Sequence, residues 1–270
     1  MNILLPFDGG PAALHAVELL AGYAGDAARL APRLLNVQPQ SEDPGRTALK
    51  PAVGRLAAAG FAVQAEVQIG PVAPTILSFK PDLIVMGTRG QGALQGFALG
   101  SVALRVVHGN GPPVLLVKPD DRLPGALGKR LRVLLAMDGS PPALRAAERL
   151  AAWRGWLGEL EVHLVHVQQP LTVLQAVLPP HDDVVDQWST KEGEQATQQA
   201  RELFAREKIA HRLHLTVGDP ALEIRMLAEQ TSSDLVALGT RGLGAAHHAL
   251  IGSVALKAAA LSPVPVLLVS

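Results

Sequence analysis

Gly87, Gly90, Gly100 and Ser101 form a Gly-x-x-Gly, nine-residue, Gly-Ser pattern, and it recurs at unchanged spacing as Gly239, Gly242, Gly252 and Ser253. Glycines directly after an apolar run let the backbone turn sharply with positive φ and let a ligand approach closely. A Gly-Ser pair opening a helix offers unpaired N–H groups and a positive dipole end, which suits an anion. The serine then either caps the helix or bonds a phosphate oxygen. The spacing predicts helices starting near Ser101 and Ser253, and a phosphate cradle with one wall from the loop and one from the helix end. For one copy, plain turns and a capping serine would suffice. Two copies with identical internal spacing, in segments whose other lengths differ, favour a ligand.

Rival phosphate motifs are absent. There is no Gly-x-x-x-x-Gly-Lys-Ser/Thr, so P-loop chemistry is excluded. Gly90-Gln91-Gly92 begins a dinucleotide fingerprint, but Gln95 stands where its third glycine belongs, and His247 does so in the second copy. No Gly-x-Ser-x-Gly supports a hydrolase serine. Asp8 and Asp138 each end an apolar run. There a carboxylate either accepts from a ribose hydroxyl or base amine, or closes an Asx-turn or caps the helix that begins at Pro11 or Pro141. His163/His166 and His211/His214 are spaced i, i+3 in strand-like segments, which sends the members of each pair to opposite faces. Neither pair chelates a metal on that geometry. His247-His248 lies in the second nine-residue loop, within reach of phosphates.

These groups sit in a duplicated plan. Asn2–Gly10 recurs as Arg132–Ser140, Asp82–Gly90 as Asp234–Gly242, and Leu99–Leu104 as Ile251–Leu256; each copy closes on Pro-Val-Leu-Leu-Val. The chain therefore divides into a domain over 1–120, a linker over 121–130 rich in Pro and Gly, and a domain over 131–270. The second copy is 22 residues longer between Asp138 and Gly239 than the first between Asp8 and Gly87. Most of that length falls between Val167 and Ile209, where Pro170, Pro179, Pro180 and Asp182-Asp183 suggest a loop before a helix. Ala196, Ala200, Leu203 and Phe204 give that helix its apolar face. A further four residues, missing from the first copy between Ile76 and Asp82, shorten its third helix by about a turn. Ile3–Phe7 and Leu83–Met86 are unbroken apolar runs, as in strands buried on both faces of a parallel sheet. Leu14, Val17, Leu20 and Ala21, and Leu144, Ala147, Leu150 and Ala151, recur at helical spacing. Alternating strands and helices argue for an α/β fold built twice.

Composition narrows the function. The 270 residues carry 24 Lys+Arg against 24 Asp+Glu and no Cys. Residues 1–125 hold 10 basic and 9 acidic side chains and the rest 14 and 15, so there is no basic surplus for DNA or RNA phosphates. Disulfides and thiolate metal sites are excluded. No apolar stretch approaches the roughly 18 residues of a membrane span, and Met1–Asp8 does not read as a signal peptide. The expectation is a cytoplasmic protein with no nucleic-acid and no membrane partner.

The residues Pro-Phe-Asp-Gly-Gly and Ala-Met-Asp-Gly-Ser after the first strands, Gly218-Asp219-Pro220 with Ile224, and both Gly-x-x-Gly-x9-Gly-Ser patterns resemble the universal stress protein family in its tandem, ATP-binding form. The resemblance spans nearly the whole chain. It implies two tandem Rossmann-like (adenine nucleotide alpha-hydrolase-like) domains, each an open five-stranded parallel sheet of order 3-2-1-4-5, with a ligand at the switch point between strands one and four. It implies ATP, with Mg²⁺, as cofactor. Carried over by position, the first adenosine pocket uses Pro6, Asp8, Val37, Met86 and Gly87, with phosphates on Gly90, Gly100, Ser101 and Val102. The second set is Asp138, Val167, Leu238, Gly239, Gly242, Gly252, Ser253 and Val254. Two departures stand out. Ala136 replaces the proline matched by Pro6, and Gly70-Pro71-Val72 misplaces the proline found at Pro220. The resemblance also implies that Val114–Val117 and Val266–Val269 pair antiparallel, an intrachain pseudo-dimer that leaves room for a further homodimer.

Three functions are compatible with these residues. One is a nucleotide-binding stress-response sensor or regulator acting on a regulatory protein partner. Another is a slow ATPase on the same fold, although no general base or water-positioning residue is evident near the motif. The third is a nucleotide-free interaction module that presents Pro170–Lys191.

Overall fold

A computed structural model describes residues 1–88, 99–168, 182–243 and 251–270, with the backbone alone for 182–190. Gly90, His247-His248 and the expected loop over 169–181 lie outside the described residues. The first half runs β1 (Asn2–Pro6), α1 (Pro11–Ala21), β2 (Ala31–Gln38), α2 (Asp43–Ala58), β3 (Gln64–Ile69), α3 (Val72–Ser78), β4 (Leu83–Gly87), α4 (Ser101–His108) and β5 (Val114–Val117). The second runs β6 (Arg130–Ala136), α5 (Pro141–Leu157), β7 (Glu159–Gln168), α6 (Asp182–Arg206), β8 (Ala210–Val217), α7 (Pro220–Gln230), β9 (Leu235–Gly239), α8 (Ser253–Leu261) and β10 (Val266–Val269). The backbone is already helical at Asp182, so the acidic pair opens the helix and does not belong to a preceding loop. The third helices have 7 and 11 residues, a difference of one turn.

All ten strands form one sheet, in the order β3-β2-β1-β4-β5-β10-β9-β6-β7-β8. Each half is parallel and ordered 3-2-1-4-5. The halves meet where β5 and β10 pair antiparallel, Leu116 against Val266 and Val114 against Leu268. The central strands β1, β4, β5, β9 and β10 read as continuous apolar runs because both of their faces are covered, whereas the edge strands β3 and β8 are largely polar. Ile3 and Leu5 pack with α1 and α2 in one core, while Leu4 joins Ile76, Met86 and Val106 in the core beneath α3 and α4. Alternation along a strand sends neighbouring leucines to opposite layers, so none of them can be polar.

One expectation changes. Leu14 is 44% exposed, and α1 instead buries Ala12, Ala13, Ala16, Val17, Leu19 and Leu20. The alanines let the helix lie close on β4, which turns its contact face one position away from Leu14. The linker stretch over 121–130 is tied to both halves. Leu127 is buried in the core shared by the halves, its carbonyl accepts from Ala24 N–H, and Gly128 N–H donates to the Leu157 carbonyl. Among the described residues no helix is long and apolar enough to cross a membrane.

One polar feature interrupts the second core. His163 on β7 and His214 on β8 stack with ring centroids 5.1 Å apart, and a ring nitrogen of one donates to the other at 2.9 Å. The i, i+3 spacing does separate the histidines within each strand. It says nothing of partners on the adjacent strand, and this contact is set by strand register. Burial pushes both imidazoles below their ordinary range; the neighbouring His214, then Arg212 and Arg132, lower His163 further while Glu161 opposes that shift, and Arg212 adds to the shift of His214. Folding therefore favours the neutral form of both, while the unfolded chain takes up protons near pH 6.5. Stability is expected to fall as pH drops below about 6.5, each histidine adding at most about 1.4 kcal/mol per pH unit to the slope. Urea midpoints from pH 7.5 to 5 check this, and His163→Asn/His214→Gln should flatten the curve. An equally steep curve in that variant would assign the acid sensitivity elsewhere.

Candidate functional site

Strands β1 and β4 are adjacent, yet their following helices α1 and α4 lie on opposite faces, so a crevice opens at their carboxyl ends. A cleft of about 490 Å³ occupies it, a size typical of small-molecule sites. Its lining gathers Pro6, Asp8, Val37, Met86, Gly87, Gly100, Ser101 and Val102. These are the residues expected of the first half, apart from Gly90. Leu35, Val72 and Ile76 add an apolar wall, and Phe7, Ala13, Asn36, Thr88 and Ala103 complete the lining.

The turn after β1 explains how Asp8 is aimed. Gly10 N–H donates to Asp8 Oδ1 at 2.8 Å, and Ser140 N–H to Asp138 Oδ1 at 3.0 Å. Each carboxylate closes an Asx-turn, and neither caps a helix: the N-caps are Gly10 and Ser140, the latter accepting from Ala143 N–H. The turn requires φ of +80° at Gly9 and Gly139, a region that glycine enters freely. The motif glycines behave differently from the expectation. Gly87, Gly100, Gly239, Gly242 and Gly252 all lie outside the positive-φ region. What Gly87 and Gly239 provide is close approach, because a Cβ at Gly87 would sit 2.8 Å from Ala13 N and one at Gly239 would sit 2.7 Å from Ala143 N. A Cβ at Gly242 would press on Asp138 Oδ2.

Helices α4 and α8 begin at Ser101 and Ser253, with Gly100 and Gly252 as N-caps that make no side-chain cap bond. The serines are therefore the first helical residues, so the capping role considered for them does not apply. Their exposed side chains stand beside N–H groups that no cap claims. In the second half the loop after β9 is tied to the Asp138 turn and to the start of α8. Leu243 N–H donates to its Oδ2 at 3.1 Å, Ser140 Oγ donates to the Arg241 carbonyl at 3.2 Å, and Gly252 N–H donates to the Thr240 carbonyl at 2.8 Å. Leu238 and Gly239 end β9, Val167 lies near the end of β7, and Val254 is in the first turn of α8. Val167 and Val254 both pack against the core that contains Leu238.

Sequence reasoning missed a matched pair beneath the two turns. Asn36 Nδ2 donates to the Phe7 carbonyl at 2.7 Å, and His166 Nδ1 donates to the Met137 carbonyl at 2.9 Å. Each is buried, and each fixes the residue before the site aspartate. The available signal was a polar side chain inside a buried apolar run, Leu34-Leu35-Asn36-Val37 and Leu164-Val165-His166-Val167, at the offset that relates Asp8 to Asp138.

Comparison with known proteins places this geometry. The model of the universal stress protein family matches residues 1–118 and again 129–270. A universal stress protein of Mycolicibacterium smegmatis is 29% identical over 223 residues, 78% of this chain and 69% of that protein. The universal stress protein Rv2005c of Mycobacterium tuberculosis is 28% identical over 221 residues, 77% of this chain and 68% of its own. Among solved structures, a universal stress protein from Archaeoglobus fulgidus superposes with a TM-score of 0.71 at 24% identity, covering 100% of this chain and 96% of its own, a likeness of fold.

Proposed function

We propose that this chain, which belongs to the universal stress protein family, holds ATP with Mg²⁺ in the crevice of its first half and a second nucleotide at the equivalent place in its second half. It then works as a nucleotide-dependent stress-response regulator and not as a fast enzyme. The observation that carries the reading is the first cleft, which combines an apolar wall, a strand-end carboxylate and a helix start in one concavity. Val37, Ile76 and Met86 suit the flat apolar faces of a base. Asp8 suits ribose hydroxyls, as carboxylates at strand ends do in open α/β sheets. The uncapped start of α4 and the Ser101 hydroxyl suit phosphate oxygens.

The donor set also bears on the metal. No Lys or Arg lines the described cleft, so backbone dipoles and the Ser101 hydroxyl meet the phosphates, and Mg²⁺ would supply the remaining positive charge. Asp8 is the one ionisable side chain in that lining, and its Oδ1 is committed to the turn. This favours holding the nucleotide over activating water against it.

The test is to denature freshly purified protein, identify any released nucleotide, and titrate Mg·ATP by calorimetry. We expect adenine nucleotide in the extract or saturable heat at two sites per chain. No released nucleotide and no heat at millimolar ATP would reject the reading. Steady ADP release, lost on removal of the site aspartates, would replace it with a slow ATPase.

A further inference from the structure

The glycine loop of the second half is held by more than its own half. Arg241, between Gly239 and Gly242, reaches across the seam, and its Nη2 donates to Asn110 Oδ1 at 3.0 Å. The same residue's carbonyl accepts from Ser140 Oγ, and two positions on Leu243 N–H reaches Asp138. Residues 240–243 are thus pinned to the Asp138 turn on one side and to the first half on the other. Asn110 is fixed in its turn. It follows the C-cap of α4 at φ +45°, a left-handed conformation that asparagine tolerates better than most residues. The next residue, Gly111, accepts from Ser270 Oγ at 3.3 Å. The seam repeats this logic in reverse, since Lys118 Nζ donates to the Ser262 carbonyl beyond the end of α8.

We propose that Arg241 is a positioning residue for the second nucleotide site, seated on Asn110 of the first half, so that the second crevice is complete only against its neighbour. The inference rests on the reading that these crevices take adenine nucleotide. The chemistry is that of a charge-assisted hydrogen bond beside a helix C-terminus, where the carbonyl dipoles favour a cation. Its benefit is ordering. A glycine-containing loop must give up backbone freedom to present its N–H groups to phosphate, and a loop already tied at Arg241 gives up less when the ligand arrives.

The experiment is calorimetry with Mg·ATP on the full chain carrying Asp8→Ala, which leaves the second crevice to report. Asn110→Gly removes the acceptor while relaxing the positive φ, and should weaken binding about fivefold, less than a full charge-assisted bond because the contact orders the loop and does not touch the ligand. Asn110→Asp keeps an acceptor for Arg241 and should bind as tightly as Asn110 does. Arg241→Gln should weaken binding comparably to Asn110→Gly, and the double variant should bind no more weakly than Arg241→Gln alone. The proposal is overturned by an Asn110→Gly affinity within twofold of its parent, by Asn110→Asp weakening as much as Asn110→Gly, or by additive losses in the double variant. Unchanged affinity in Asn110→Gly, with ATP still bound, sinks this inference alone. A chain with both aspartates intact that binds no ATP sinks the reading beneath it as well.

Discussion

Replacing Gly87 or Gly239 with alanine is expected to destabilise the chain by about 2–3 kcal/mol, the upper part of the range for overpacked cores. At Gly87 the new methyl would lie 2.7 Å from Ala12 Cβ and 2.8 Å from both the Ala12 carbonyl carbon and Ala13 N. At Gly239 the neighbours are Ala143 N and Pro142 Cβ, each at 2.7 Å. Most of these atoms are backbone in the first turn of α1 or α5, so no rotamer change relieves the clash and the helix itself must move. That helix follows directly on the Asp-Gly turn, and its displacement should weaken nucleotide binding in the same half. Gly252→Ala is the control. Its nearest atom is the Thr240 carbonyl oxygen at 3.5 Å, ordinary contact, and the cost should stay near 1 kcal/mol or below, the penalty of a poorer N-cap. Urea midpoints of the three variants decide the matter. Equal destabilisation of all three would mean that close packing is not what these glycines provide.

Asp8→Ala and Asp138→Ala are each expected to remove one nucleotide from the bound stoichiometry, two per chain becoming one. Hydrogen bonds to a charged acceptor contribute about 1.5–3 kcal/mol each, so the affected site should weaken roughly 10- to 100-fold. The carboxylate has a second task. In the second half its oxygens accept from Ser140 and Leu243 N–H groups, joining the turn to the glycine loop. Asp138→Asn should therefore rescue little, because it replaces one of the two accepting oxygens with an NH₂ group, which donates and would face an N–H. The untouched site should keep its affinity within about twofold, since the two aspartates belong to different halves of the sheet. Calorimetric titration measures number and affinity together. Two sites retained in either alanine variant would remove the aspartates from the binding scheme.

Much of this was legible in the sequence because duplication prints each element twice. Strand positions, helix starts at Ser101 and Ser253, and the shorter third helix of the first half follow from apolar runs and their offsets. The remainder depends on relations that linear spacing does not encode. His163 meets His214 only through the register of two parallel strands. Asn36 and His166 matter because each reaches a carbonyl just past the end of the neighbouring strand. Leu14 fits the helical period, yet the contact face of α1 is set by how closely small residues let it approach β4. Spacing suggests that the motif glycines supply positive-φ turns and room for a ligand, but at Gly87, Gly239 and Gly242 the constraint is the space occupied by another segment. Positive φ is needed one turn earlier, at Gly9 and Gly139, beside the aspartates.

The antiparallel join between β5 and β10 has a consequence for behaviour in dilute solution. Two separate chains meeting through such an edge would part as their concentration fell. Here the ordered strap over 121–130, anchored by Leu127, makes the encounter intramolecular, with an effective concentration that short connections raise to the millimolar range. The join should therefore persist at nanomolar protein. A cell that makes few copies of this chain would still make every one of them with the seam closed.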